Sequence, residues 1–416
     1  MESEIYFKLL LTLGLILVAA RIGGEIAERY LKQPAIIGEL LAGIIISPFA
    51  IGGLITDPAI LDFATIEGTI IGSGEHIAEF HPMEIISQLA VIALLFIAGL
   101  ETDVRSFLKH SATGTMVAIG GVVLPFVLGY FSAMYFFPDI GTIGWLFIGA
   151  VLTATSIGIT VRIFMDMGRL NSKEGMIILV AAVVDDIIGL VILSIVVSMA
   201  DTGEFSALEA LKTAGLGFGI WIALLTLGVK GHKFISRFVL QPFRESGTMP
   251  MVALILAILI SYIVTLFGLH PVVGAYVAGL MIASTVEKEE IMKGTRPIMA
   301  FLAPFFFAYL GMQVDLAEIW VVIIPAIVIV ALAVISKVGG CYLPARLFGK
   351  TSHKGAMVVG IGMVPRGEVG LIIAGAGLLS GVITRDLFGV AIAVSIVTVL
   401  IVPTMLKPFF KKSGAQ

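Results

Sequence analysis

Residues 181–193 read AAVVDDIIGLVIL, with Asp185 and Asp186 adjacent inside an otherwise apolar run. A carboxylate at the centre of a membrane helix costs about 2.5–3.5 kcal/mol on insertion scales, and such residues normally face a bundle interior or a water-filled cavity. The run is too long for a strand, and similar runs recur along the whole chain. Of the 416 residues, 58% are hydrophobic and 13% charged, and the mean hydropathy is +1.09. A soluble domain carries roughly twice that charge. The chain therefore reads as an integral membrane protein of the all-α class. The runs are long and continuous, unlike the short alternating segments of a membrane barrel.

Since the bilayer core takes about 20 apolar helical residues to cross, spans are expected near 6–24, 34–50, 83–100, 112–134, 143–163, 175–200, 208–229, 250–268, 271–284, 298–313, 318–344, 355–379 and 386–406. That gives about 13 transmembrane helices, of which 271–284 is too short to cross without help from its neighbours. With the N-terminus outside, nearly all lysines and arginines fall on inner segments, and only Lys8, Lys212 and Arg385 lie on the outer side. Positive residues favour the cytoplasm, so a multi-pass cell-membrane protein with N-terminus out and C-terminus in is expected. The outer segment 51–82 carries acids and no lysine or arginine. It either collects cations or is a solvated loop.

Several classes are disfavoured. The acidic start MESEIYFK does not read as a cleavable signal. Cys341, the one cysteine, excludes an internal disulfide, and His76, His81, His110, His232, His270 and His353 are scattered without metal-ligand spacing. GLGFG (215–219) lies within an apolar span with no strand before it, so it is not a nucleotide fingerprint. No Walker motif points to an ATP-driven pump. No cofactor, no nucleic acid and no enzymatic activity is expected.

Set apart from the charges near the span ends, six ionisable residues are expected in the membrane interior: Glu39, Asp185, Asp186, Lys337, Arg366 and Glu368. They either lock helices together as charge pairs or mark a transport path, and the adjacent aspartates with a mid-span lysine favour transport. The sequence also repeats itself. QPAIIGELLAG (33–43) is similar to HPVVGAYVAG (270–279), with Gly38, Ala42 and Gly43 matching Gly274, Ala278 and Gly279. LFIAGLETDV (95–104) is similar to FFAYLGMQVD (306–315), with Gly99 and Asp103 matching Gly311 and Asp315. The first copy begins on an inward-running helix and the second on an outward-running one, the mark of inverted-topology repeats. A single transporter domain of residues 1–416 is expected, with repeats at 1–200 and 250–416 and a linker at 201–249.

Both repeats are interrupted at equivalent places. One carries TATSIGIT (153–160), the other MVPRGEVG (363–370), where Pro365 lacks a backbone donor and Gly367 and Gly370 add freedom. Matched broken helices point to a midplane ion site.

QPAIIGELLAG, FIAGLETD, TATSIGITVR, VVDDIIGLVIL, the lysine of ISKVGG (335–340) and MVPRGEVGLI together resemble the cation:proton antiporters of the second monovalent-cation group, with the NapA-type sodium/proton branch nearer than the Kef-type potassium/proton branch. The paired aspartates and the short tail after the last span weigh toward the former. The resemblance implies an NhaA/NapA-like fold with two crossing broken helices, a six-helix ion-carrying core, and a panel through which a homodimer forms and against which the core moves. It implies Asp186 as the carrier of sodium and protons and Asp185 as the partner of Lys337.

Neighbours on a helix point about 100° apart, so the two aspartates cannot share one role. Burial disfavours both charges of an acid–base pair and their attraction favours them, which makes Asp185–Lys337 a candidate second proton unit or a salt bridge. Sodium wants oxygen ligands. Asp186 supplies one, and Thr155 and Ser156 either supply others or act as packing glue. Arg366 is permanently charged and is expected to pair with Glu39 or Glu368. The expected substrates are sodium, with lithium or potassium as alternatives, and protons. Rival readings are a cation channel, which needs no proton competition, and a solute symporter, which needs a larger polar cavity.

Overall fold

The computed structural model describes residues 2–47, 49–50, 82–202, 206–245, 248–314, 320, 322–379 and 382–410, and every regular element among them is helical. In chain order the α-helices are α1 Glu2–Ile26, α2 Ala35–Ile46, α3 Pro82–Glu101, α4 Val104–Lys109, α5 Ser111–Phe136, α6 Gly141–Thr153, α7 Ile157–Asp166, α8 Lys173–Thr202, α9 Ala207–Phe234, α10 Met249–Thr265, α11 Pro271–Ala283, α12 Lys288–Met312, α13 Ile323–Leu347, α14 His353–Gly362, α15 Glu368–Leu379 and α16 Arg385–Leu406. Asp315, most of the outer segment 51–82 and the tail 411–416 lie outside the described residues.

Each expected span coincides with a helix or a helix pair, but fewer than 13 are long enough to cross alone. Among the described residues, 9 helices have the length and apolarity to span a membrane. The spans expected at 34–50, 250–268, 271–284 and 355–379 are built from shorter pieces. At about 1.5 Å per residue, a helix of a dozen residues reaches about 18 Å, against a hydrocarbon core of about 30 Å. Proline sets two of these limits: Pro34 caps the start of α2 and Pro271 is the first residue of α11.

The chain divides into two compact units, Met1–Leu94 with Gly294–Ala317, and Leu95–Lys293 with Glu318–Gln416. The first holds a small core of Ile16, Ala20, Met83, Phe305, Ala308 and Met312. Its helices cross at glycines. A Cβ on Gly38 would lie 1.9 Å from the Gly23 carbonyl oxygen, one on Gly43 2.0 Å from that of Ala308, and one on Gly311 2.2 Å from that of Leu40. The second unit makes the same kind of crossings with the matched glycines. A Cβ on Gly274 would meet the Ser261 Cα at 2.7 Å, one on Gly279 the Phe96 oxygen at 2.1 Å, and one on Gly99 the Tyr276 oxygen at 2.2 Å. Backbone approach this close admits hydrogen alone, as at small-residue crossings between membrane helices.

Gly279→Val is therefore expected to destabilise the protein by more than the about 1–3 kcal/mol of ordinary overpacking, because the obstacle is backbone. Gly219→Ala, with nothing within 4 Å of its added Cβ, serves as the silent control. Thermal unfolding in detergent, followed by loss of the monodisperse peak, reads the difference.

The main core of the second unit packs α5, α6, α8, α13, α15 and α16 through side chains such as Phe147, Leu152, Val196, Ala326, Ile373 and Val394. Two of its spans are broken. Between α6 and α7 the chain is extended at Ala154 and Ser156, and between α14 and α15 residues 364–367 leave the helix. The interruptions meet: the Ser156 N–H donates to the Pro365 carbonyl at 2.9 Å.

Candidate functional site

Breaking a helix strands its last carbonyls, which lose their donors four residues on. In α6 those carbonyls are answered by cations. Lys337, from the middle of α13, donates to the Thr153 carbonyl at 2.6 Å. Arg366, from the second interruption, donates to the Leu152 carbonyl at 2.6 Å, to that of Ala333 at 3.4 Å and to that of Val364. Both positive groups thus sit at the negative end of the α6 dipole. Hydroxyls tie the rest together. Thr155 donates to the Met363 carbonyl at 3.1 Å and Thr160 to that of Gly362 at 3.0 Å, and the Thr398 hydroxyl accepts from the Arg366 N–H at 3.1 Å. Ser156 caps α7 by accepting from the Ile159 N–H.

Against this crossing lies α8. Asp185 accepts from Lys337 at 3.0 and 3.3 Å, and both side chains are fully buried. An ion pair removed from water in this way survives only when geometry and further hydrogen bonds compensate the desolvation. The Thr153 carbonyl supplies one such bond.

Asp186, 3% exposed, takes the other direction. It lines a cavity of about 210 Å³ with Gly189, Leu190 and Leu193 of α8, the Thr265–Pro271 connection, and Val369 and Ile373 of α15. The adjacent aspartates therefore have separate surroundings, one bonded to a lysine and one facing a cavity.

The remaining expected residues are placed as follows. Thr155 and Ser156 both engage backbone groups of the crossing. Arg366 has its charge met by carbonyls, while the side chain of Glu368, which opens α15, lies outside the described residues. Glu39 is buried on α2 in the first unit, where a Cβ on Gly24 would touch its side chain at 3.4 Å. Thr160, Thr398 and His270 were not singled out from the sequence. Thr160 had a signal in its place within the first interruption, four residues after Ser156. The other two had none, because they reach the site from other helices or connections. No group of three or more metal-ligating side chains occurs among the described residues.

Two interrupted helices thus meet beside a buried aspartate that faces a cavity. The transmembrane sodium/hydrogen exchanger profile matches residues 13–412. The chain belongs to the sodium/hydrogen exchanger family. This exchanger is 33% identical over 415 residues to the Na(+)/H(+)-K(+) antiporter GerN of Bacillus cereus, covering 99% of this chain and 97% of that protein. It is 33% identical over 422 residues to the high-affinity Na(+)/H(+) antiporter NhaS3 of Synechocystis, covering 97% and 90% respectively. Its fold matches the sodium proton antiporter MjNhaP1 of Methanocaldococcus jannaschii, with TM-score 0.65, 19% identity and 96% of each chain covered. The exchanger family is one of transporters.

Proposed function

We propose that the protein is a secondary sodium/proton antiporter in which both ions compete for Asp186. The observation that carries this reading is the buried Asp186 carboxylate facing a cavity, next to a sister aspartate already bonded to Lys337. One carboxylate that holds either a proton or a sodium ion, exposed to one side at a time, suffices for antiport. In its cation-loaded form Asp186 supplies the charge, and water with oxygens of the broken helices supplies further ligands. The Asp185–Lys337 pair is the second proton unit, giving two protons per sodium and one net charge per cycle. The matched glycine crossings support inverted repeats at 1–200 and 250–416, and a six-helix bundle around the broken helices is the moving core of a homodimer.

A pH jump on purified protein in liposomes tests the reading. Added sodium is expected to drive protons out of acid-loaded vesicles. A channel would pass sodium without countermoving protons, and a symporter would move protons with its cargo. GerN is named for potassium as well as sodium, so potassium is the second cation to titrate, and a larger proton flux with potassium than with sodium would reassign the substrate.

The distribution of lysine and arginine supports an outer N-terminus and a cytoplasmic C-terminus. Membrane-impermeant thiol labelling of single cysteines, placed in a Cys341→Ala background, is expected to reach segment 51–82 from outside and residues 411–416 from inside only. Labelling of both from one side would refute this orientation.

A further inference from the structure

We infer that His270 is the proton relay between Asp186 and the aqueous phase, a role that rests on the antiport reading above. Its imidazole lines the Asp186 cavity, is nine-tenths buried, and its Nδ1 has no hydrogen-bond partner among the described residues. A buried polar nitrogen without a partner is costly unless water or a solute reaches it. The cavity that the imidazole lines has room for water: about 210 Å³ holds a chain of several waters, each needing roughly 10–15 Å³.

The position suits transfer rather than cation binding. Most of the wall is apolar, from Leu190, Leu193, Leu269, Val369 and Ile373. A bare sodium ion gains little there before Asp186, whereas a proton can hop through waters between two titratable groups. Histidine suits such a shuttle because its two ring nitrogens let it accept a proton on one side and release one on the other. The step balances simply. The Asp186 carboxylic acid loses its proton through water to the imidazole, forming carboxylate and imidazolium. The imidazolium releases a proton to the aqueous side and returns to neutral, and sodium takes the vacated carboxylate. Loading runs in reverse.

The nearby charges leave this pathway distinct. Asp185 on α8 is turned to Lys337, and Tyr276 on α11 is hydrogen-bonded to Thr102. Glu209 and Lys212 of α9 line a separate cavity, and α10 carries no carboxylate, histidine, lysine or arginine within Met249–Thr265, its one tyrosine, Tyr262, being exposed. Among the described residues lining the Asp186 cavity, His270 is the one other titratable group. The sequence conceals this, since His270 stands in the turn before Pro271 and far along the chain from Asp186.

Sodium/sodium exchange needs no proton, so it separates a relay from a structural or cation-handling role. In proteoliposomes, His270→Gln is expected to slow sodium-driven proton flux by roughly tenfold at alkaline pH, where free protons are scarce. That lies below the ~10²–10⁴ of a positioned acid–base group because water can partly substitute. The deficit should shrink as the pH is lowered, while radiolabelled sodium/sodium exchange stays within about twofold of wild type on the same principle. Full proton flux at every pH overturns the proposal. So does an equal fall in both exchanges, which would make His270 a packing or cation-path residue. His270→Ala, giving the same split with a different side chain, guards against a glutamine-specific effect. Asp186→Asn, losing both exchanges, and wild type, showing both, are the references. A wild type without sodium-driven proton flux would refute the antiport reading and the relay with it.

Discussion

Asp186→Asn is expected to reduce sodium-driven proton flux to the level of protein-free liposomes while the protein still folds and inserts. Asparagine keeps the shape of the side chain and removes both the titratable proton and the negative charge. The cavity formed by α8, the Thr265–Pro271 connection and α15 needs no anion to hold its walls apart, so the structural cost is small. The measurement pairs thermal unfolding in detergent with proton flux in liposomes. Normal exchange by the variant would remove Asp186 from the carrier role, and a variant that no longer folds would give the residue a structural role instead.

The second large effect is expected at the Asp185–Lys337 pair. Asp185→Ala leaves the Lys337 ammonium fully buried beside the Thr153 carbonyl without its carboxylate. Breaking a buried pair from one side costs about 3–5 kcal/mol. Removing both partners, as in Asp185→Asn with Lys337→Gln, restores much of that stability because no lone charge remains. Transport separates a structural pair from a titrating one. If Lys337 gives up its proton when sodium binds, two protons move per sodium, and a charge crossing 100 mV is worth about 2.3 kcal/mol. Wild-type exchange should then speed up or slow down with the sign of a potassium/valinomycin potential. Lys337→Gln should still exchange, but indifferently to voltage. A wild type indifferent to voltage would leave Asp186 as carrier and reduce the pair to a structural bridge.

The membrane class, the helical content and the position of nearly every span were legible from composition and from run length, because apolarity over about 20 residues is a local property that the bilayer selects. The two interruptions were also legible. Pro365 with Gly367 and Gly370, and the hydroxyl-rich TATSIGIT, weaken a helix wherever they stand. Likewise, the 100° step between neighbours was enough to separate Asp185 from Asp186. In the sequence the matched glycines signal repetition, and only the structure shows them to be close helix crossings. Gly43 meets Ala308 and Gly279 meets Phe96 because shape complementarity between distant helices decides it. The Asp185–Lys337 pair was expected from the family resemblance, and tertiary structure alone assigned the backbone partners of the interior cations. The carbonyls stranded at the end of α6 accept whichever donor reaches them, so Arg366, expected to find a carboxylate, donates to Leu152 across 214 residues of chain, while Lys337 reaches Asp185 across 152. His270 joined the Asp186 cavity the same way. Local patterns record how a segment meets its solvent, whereas the partner of a freed backbone group or a buried charge depends on which helices pack together.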